Sequence, residues 1–521
     1  MRAILVALAA LAASAQLQAQ SVPAAPAVTV GAGIKSFRFD WQPAARAARY
    51  EVWVRASASA AFQKGAEYPP TSTHANVRIA VHSFDWSGAR FRVVACNSSG
   101  CTNSRDIAVE SLRLQAPGYF KSSQPEIAAT LGGDVDVSPD GVYLVAAAPN
   151  DDSSGVGAAG AAYVFQRNSD AISWKQRARL LPEIIQGDGG AGLRVAISAD
   201  GNTVAIGAPN IFHSANDANS GEVYVFRYNG ASWQRTRIAA DRRGSFGAWV
   251  SLDDAGQVLA VGRDSGADLY ILANGAWAVR RHIEDRTAPA DNCPNGQISG
   301  NGRVLVEQCF NGSPATPTRS YLRIHSSYAS ARRDHDLQRP SGVANDEQRY
   351  GIAVDYTGDW IAAQNFNGRI EVDIFERVAG WHQFSQRVRP GSWQGSRRSL
   401  FGQGLAFSGD GRVLAVGDPV DVAKGTGVQR GTLAAGGTPT GAVYVFKRSS
   451  SNTWPLQSVV KPNYLLGPSG GAAQTFGAAL SLSETGSTLA VGQPLESSDA
   501  VGIDGAWNNT RRAQSGAVWL Y

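Results

Sequence analysis

The stretch "RRDHDLQ" sets His335 between Asp334 and Asp336, the residue types from which an acid–base pair or a hard metal site is built. Neighbours along a strand or loop point apart, so three consecutive side chains do not converge on one atom, and the stretch reads as a solvated polar loop. The other histidines, His74, His82, His213, His282, His325 and His382, are dispersed. A nucleophile elbow, a zinc H-E-x-x-H, a phosphate-cradling G-x-x-x-x-G-K-[ST] and a dinucleotide glycine motif are all missing. Cys96 and Cys101 flank the turn "NSSG", and Cys293 and Cys309 lie equally far from Asn301, so two hairpins would oppose each pair as a disulfide. One further group recurs. "FGQGLAFSGDGRVLAVGDP", from Phe401 to Pro419, carries an Asp-Gly turn that is either a metal-loaded loop or the hinge of a hairpin.

Such groups act only where a fold holds them. The chain has 521 residues, too many for one ordinary core. Met1-Arg2 and the apolar run "AILVALAALAASA", ending in "QLQAQ", read as a signal peptide over residues 1–20 and predict export. No later stretch reaches the roughly 20 apolar residues of a membrane helix, so membrane insertion is not expected. The net charge of +5 is spread over pairs such as Arg242-Arg243 and Arg332-Arg333, a pattern that argues against nucleic acid. With 57 Gly against one Met, and many Val, Tyr, Trp and Thr, short strands and tight turns are predicted.

Residues 21–110 contain period-two runs, "SFRFDW", "YEVWVRA", "NVRIAV" and "RFRVVAC", in the manner of a β-sandwich. From 111 to 521 the chain repeats itself: seven hairpins turn at Gly141, Gly201, Gly256, Gly302, Gly358, Gly411 and Gly486. A third strand follows each ("AAYVF", "EVYVF", "DLYIL", "SYLRI", "EVDIF", "AVYVF", "AVWLY"), and most copies add a Trp-led fourth, at Trp174, Trp233, Trp277, Trp381 and Trp454. Seven units of four antiparallel strands are the arithmetic of a β-propeller. The Trp residues fit inter-unit packing.

The first region, with Trp41, Tyr50 and the late "FRVVACNSSGCTNS", resembles a fibronectin type III domain. The repeats resemble the FG-GAP units of integrin α-chain propellers: Phe246-Gly247, Phe401-Gly402 and Phe476-Gly477 match the first half of the motif. Gly207-Ala208-Pro209 matches the second, with Gly417-Asp418-Pro419 and Gly492-Gln493-Pro494 as variants. The expected fold is therefore all-β, a fibronectin-III/Ig-like sandwich followed by a seven-bladed propeller closed by an N-terminal strand. "ESLRLQAP" looks like the fourth strand of the first unit, and Leu112–Ala116 is predicted to close the seventh.

In integrin-type repeats the first hairpin can wrap Ca2+ in an Asp-rich loop, and calcium needs about six to eight oxygen ligands. Only "DVDVSPDG" keeps Asp136, Ser138 and Asp140 at such positions, and Leu144 stands where a last carboxylate would help. A metal-free Asp-Gly hinge is expected, with no cofactor. The loops between second and third strands are long in units one, two, six and seven, which are contiguous around a closed ring. Asp151, Asp152, His213, Asp217, Lys424, Arg430, Trp507, Arg511 and Arg512 lie in them and are the candidate binding residues. The reading is an exported, monomeric, non-catalytic binding or adhesion protein with a protein or glycan partner. The alternatives are a carbohydrate-active enzyme using the propeller face or channel, and a structural envelope protein.

Overall fold

The computed structural model describes residues 21–152, 155–183, 185–211, 220–240, 244–284, 291–313, 316–325, 335–338, 351–366, 370–390, 399–434, 436–463 and 474–521. Residues 1–20, on which the signal peptide is predicted, and the candidate binding residues His213 and Asp217 lie outside them. Among the described residues the regular structure is β-strand apart from two single-turn 3-10 segments, and no helix is long and apolar enough to cross a membrane. Contacts divide the chain into two units, with Ala32–Phe37 and Asn76–Phe84 grouped with Ser111–Tyr521 in the second.

The first unit draws on two sheets. One joins Val28–Gly33, Ser36–Trp41 and His74–Arg78; the other joins Gln63–Tyr68, Arg49–Arg55, Arg90–Asn97 and Gly100–Asn103. Their period-two pattern sends Phe39 and Trp41 inward from one sheet and Phe91 and Tyr50 from the other, with ring centroids 5.0 Å (Phe39–Phe91) and 5.2 Å (Trp41–Tyr50) apart. Cys96 stands opposite Cys101 in register and is bonded to it.

The second unit contains seven sheets in chain order, six of four strands and one of five. Sheet 1 runs outward from Val135–Val137 through Tyr143–Ala148 and Ala161–Arg167 to Trp174–Leu180. The corresponding inner strands of sheets 2 to 7 are Arg194–Ile197, Val250–Leu252, Asp291–Ile298, Ile352–Val354, Leu405–Phe407 and Leu480–Leu482. Each inner strand touches the next, and the seventh touches the first, so the sheets close a ring. This is the β-propeller arrangement. In sheet 4 a register shift between Asn292 and Asn295 brings Cys293 to Cys309, and the two are bonded.

Glycine sets how closely the sheets approach. Gly247, Gly402 and Gly477 hold φ of 89°, 89° and 90°, which only glycine adopts without cost, and each donates its N–H to a carbonyl of the second strand, at Gly262, Gly417 and Gly492. The carbonyl of each then presses on the preceding sheet. A Cβ on Gly207 would lie 2.2 Å from the Gly247 oxygen, and one on Gly417 2.0 Å from that of Gly477. The two glycine signatures of the repeat thus meet at the junctions between sheets.

The same junctions bury charge. Asp151 in sheet 1 accepts from Arg179 Nη2 (2.9 Å) and Tyr163 Oη (2.5 Å), and Asp421 in sheet 6 from Lys461 Nζ (3.0 Å) and Tyr444 Oη (2.8 Å). Glu222 with Arg237 (2.6 Å), Asp268 with His282 (2.7 Å), Asp373 with Arg387 (2.5 Å) and Glu496 with Lys121 (2.7 Å) repeat the motif in sheets 2, 3, 5 and 7. In sheets 1, 2, 5, 6 and 7 the cation comes from the fourth strand or the residue just after it; in sheet 3 Asp268 meets Arg263 of the second strand as well as His282 of the fourth. Sheet 4 permutes the roles, with buried Glu307 facing Arg323 (3.8 Å) and His325 (3.4 Å).

The closing strand is not the one expected. Glu110–Leu112 is a single 3-10 turn, and Gly118–Phe120 pairs instead with Ala517–Leu520, Tyr119 opposite Trp519. A strand filling this gap is buried on both faces, which "GYF" satisfies and "LRLQA", with Arg113 near its centre, does not. Phe120 packs on Phe165 (5.2 Å) and Trp174 (5.4 Å), and Tyr119 on Trp519 (4.6 Å). Lys121 then enters the buried pair with Glu496, both side chains fully shielded.

Two substitutions test these contacts. Gly417→Ala drives a methyl into a neighbouring carbonyl and is expected to lower the unfolding free energy by about 1–3 kcal/mol or more, read from the urea midpoint; an unchanged midpoint contradicts the junction geometry. Lys121→Met strands Glu496 and is expected to cost about 3–5 kcal/mol, most of it recovered by adding Glu496→Leu.

Candidate functional site

The Asp-Gly turns are hinges held by their own side chains. In sheet 6 Ser408 Oγ donates to Asp410 Oδ1 (2.7 Å) and accepts from Val413 N–H (2.9 Å), while Asp410 accepts from Arg412 N–H (3.1 Å); Gly411 supplies φ of 63°. Ser138 and Asp140 do the same in sheet 1, at 2.6 Å from one another. Asp136 turns elsewhere: its carboxylate accepts from Ile197 N–H (2.9 Å) in sheet 2 and from Ser481 Oγ (2.9 Å) in sheet 7. Asp136, Ser138 and Asp140 are therefore engaged apart from one another. Among the described residues no group of three or more His, Cys, Asp or Glu is arranged to hold a metal.

Around the turns runs a belt of backbone hydrogen bonds from sheet to sheet: Ala199 N–H to Asp254 O, Asp254 to Gly300, Asn301 to Tyr356, Tyr356 to Gly409, Asp410 to Glu484 and Glu484 to Pro139. The step from sheet 1 to sheet 2 is missing, because Pro139 has no N–H to give. There side chains substitute, Asp134 accepting from Val195 N–H (2.9 Å) and Asp136 from Ile197 N–H. Equivalent stitches link other inner strands: Ser251 to Ile298 N–H (3.1 Å), Gln297 to Val354 N–H (2.9 Å) and Ser481 to Val137 N–H (3.0 Å).

All seven inner strands enclose an axial channel, a cavity of ≈ 800 Å³. Among the described residues its lining includes Asp134, Asp136, Asp188, Asp254 and Glu484 but a single cation, Arg194. Burial pushes the Asp136 carboxyl up to about 7, with Asp134 and Asp254 adding repulsion. Burial, then Glu484 and Asp253, push Asp254 up to about 6, and burial, then Asp410 and Asp355, raise Glu484. Among the described residues neither the Asp254 nor the Glu484 side chain has a hydrogen-bond or ion-pair partner. Tyr356 stands at the same turn end, 40% exposed.

The loop residues are dispersed by comparison. Asp151, expected on a binding loop, is a correction: it is 1% exposed and locked to Arg179 and Tyr163. Asp152 is exposed, its N–H donating to Glu126 (2.8 Å). The long loops of sheets 6 and 7 run out to the sheet edges. Gly427–Gln429 pairs with Leu456–Lys461 as a fifth strand, and Ile503 bridges Phe120. Such pairing covers an edge that would otherwise invite aggregation. Lys424 and Arg430 remain exposed, Arg430 donating to Ser83 O (3.2 Å); Arg511 is exposed beside Asp499 (3.5 Å). Arg512 donates to Pro125 O, and half-buried Trp507 packs 6.1 Å from Trp519.

Asp134, Arg194, Asp254, Tyr356 and Glu484 were not among the residues singled out from the sequence. A signal existed for three of them. Aligning the turns puts Pro139, Ala199, Asp254, Gly300, Tyr356, Gly409 and Glu484 at one position; all but Ala199 line the channel, and Asp254, Tyr356 and Glu484 are the members that bring a charge or a phenol to it.

No family model matches the chain, and no curated protein matches it. Among solved structures it is similar to the β-propeller domain of Myceliophteria thermophila Cps50 (Swd1), at 10% identity over 77% of this chain and 97% of that one, with a TM-score of 0.45. It is also similar to the periplasmic gluconolactonase PpgL of Pseudomonas aeruginosa (13% identity, 80% and 97% covered, TM-score 0.42). Chaetomium thermophilum Sqt1, solved bound to the N-terminus of ribosomal protein L10, is a third (14% identity, 75% and 89% covered, TM-score 0.42). At such scores the likeness adds nothing to the ring topology, which itself gives the fold.

Asp136 makes the sheet 1–2 joint titratable. Its folded pKa, about 7, lies above the ordinary 3.8, so the folded chain binds the proton more tightly. This group's contribution to stability is therefore full below about pH 4 and is lost as the pH rises through about 7. Asp136→Asn keeps an acceptor for Ile197 N–H and a donor for Ser481, without the charge. It is expected to leave the urea midpoint at about pH 4 unchanged and to raise it at about pH 8; a lower midpoint at both would refute the assignment.

Proposed function

We propose that the chain is an exported, non-catalytic binding protein in which a fibronectin-III-like sandwich precedes a seven-bladed propeller of FG-GAP type, and that it takes a protein or glycan partner at the ends of the ring. One observation carries the binding reading: among the described residues the buried junction carboxylates and the inner-strand Asp134 and Asp136 are committed to partners within the ring. Uncommitted charge is left at the channel mouth, on Asp254 and Glu484, and on exposed loop residues such as Lys424. The meeting of Gly207 with Gly247 and of Gly417 with Gly477 supports the FG-GAP assignment. The facing sheets with Trp41 against Tyr50 support the fibronectin-like one. Two disulfides suit an oxidising compartment. The turns spend Ser138 and Asp140 on their own backbone, which supports binding independent of Ca2+.

The second reading, a carbohydrate-active enzyme, is favoured by one observation: Asp254, at about 6, and Glu484 are both raised toward the range of a general acid. A glycan array and an affinity capture with the mature protein, with Ca2+ and with chelator, separate the two. Saturable binding without turnover, unchanged by chelation, is expected. Glycan hydrolysis abolished by Glu484→Gln would replace the binding reading with the enzymatic one.

A further inference from the structure

We propose that the turn-end mouth of the axial channel is a receptor for a single basic side chain, the guanidinium or ammonium group of a peptide partner, held between Asp254 and Glu484 against the ring of Tyr356. This deepens the binding reading and rests on it, by naming the chemistry taken at one end of the ring.

A channel of ≈ 800 Å³ falls within the size of a small-ligand site, and among the described residues its lining sets five carboxylates, Asp134, Asp136, Asp188, Asp254 and Glu484, against the guanidinium of Arg194. Asp134 and Asp136 are used by the strands they stitch, at 2.9 Å to Val195 and Ile197 N–H. Asp254 and Glu484 are not so used, and both are half-buried in the lining at the turn end of the channel.

The belt of turns arranges them. Going round the ring the order is Asp254, Gly300, Tyr356, Gly409 and Glu484, each joined to the next sheet through the backbone belt. The glycines leave room for their neighbours to lean together. A Cβ on Gly300 would lie 2.6 Å from the Tyr356 ring and 2.9 Å from Asp254 Oδ1, and one on Gly409 would collide with the Glu484 carboxylate. An aromatic face flanked by two carboxylates is the arrangement that attracts an organic cation, by cation–π attraction on one side and charge-assisted hydrogen bonds on the other. A small metal ion is poorly served, since two carboxylates supply too few oxygens.

Electrostatics agree with the geometry. Asp254 faces Asp253, Glu484 and Asp136, and Glu484 faces Asp410 and Asp355, with no cation among them. Both carboxyls titrate above their ordinary range, so a bound cation is favoured once they ionise, and affinity is expected to rise between about pH 5 and pH 8.

The test titrates N-acetyl-arginine amide into the full chain by calorimetry, with N-acetyl-citrulline amide as the neutral isostere and CaCl2 as a third ligand. Saturable binding of the arginine probe, absent for citrulline, is expected. Asp254→Asn and Glu484→Gln should each weaken it about tenfold, a change of 1.4 kcal/mol, with the melting temperature kept. Tyr356→Leu should weaken it while leaving both charges in place, and Asp499→Asn, at a half-buried loop carboxylate outside the channel lining, should leave it unchanged. Equal binding of the citrulline probe, indifference to Glu484→Gln, or Ca2+ displacing the arginine probe at lower concentration overturns the proposal. A failure to bind glycans or captured proteins, with arginine binding intact, would instead count against the broader reading alone.

Discussion

Everything in the ring depends on an approach between backbones that admits no side chain. Where Gly417 faces the Gly477 carbonyl and Gly207 that of Gly247, two sheets come closer than any Cβ allows. The spacing of the motif along the chain follows from this. One glycine must end the second strand of a sheet, and the other must precede the first strand of the next, so the two signatures lie a loop-strand-loop-strand apart in sequence and in contact in space. Apolar burial then fills the wedge on either side, with Val145, Val164, Val195 and Ile206 forming one such layer between sheets 1 and 2.

That closeness decides how polar groups are used. A carboxylate inside such a junction is tolerable only if paired, and every sheet pairs one: Asp151, Glu222, Asp268, Glu307, Asp373, Asp421 and Glu496 each meet an arginine or lysine. The apparent acidity of the loops after the second strand is therefore partly interior. At the axis a different economy holds, since inner-strand side chains take up N–H groups of the neighbouring strand, and the bonds crossing each junction need not be backbone ones.

The repeat, the strand order and both cysteine pairs were legible because each is written locally: a glycine turn, an alternating run, two thiols equidistant from a hinge. What was not legible is what only the third dimension joins. Asp151 reads as a loop residue until Arg179, on another strand, is brought beside it. Leu112–Ala116 matched a fourth strand in charge pattern, but a strand that closes a ring is buried on both faces, which selected Gly118–Phe120. Asp136 resembled a calcium ligand because its neighbours in sequence were oxygen donors, whereas its partners belong to sheets 2 and 7. The channel-mouth residues Asp254, Tyr356 and Glu484 sit in three different repeats, and no single motif contains them.

The closing sheet also sets a schedule. Tyr119 meets Ser498 across 379 positions of chain, and Lys121 meets Ser515 across 394, so the seventh sheet draws its outer strand from before the first sheet. Until the final strand is available, Gly118–Phe120 has no ladder to join and sheet 1 lacks a neighbour on one side. Contacts of such separation form late and slowly. For a chain that is synthesised from one end, ring closure is thereby postponed until Ala517–Leu520 has been made, and six sheets must wait, partly assembled, for the seventh.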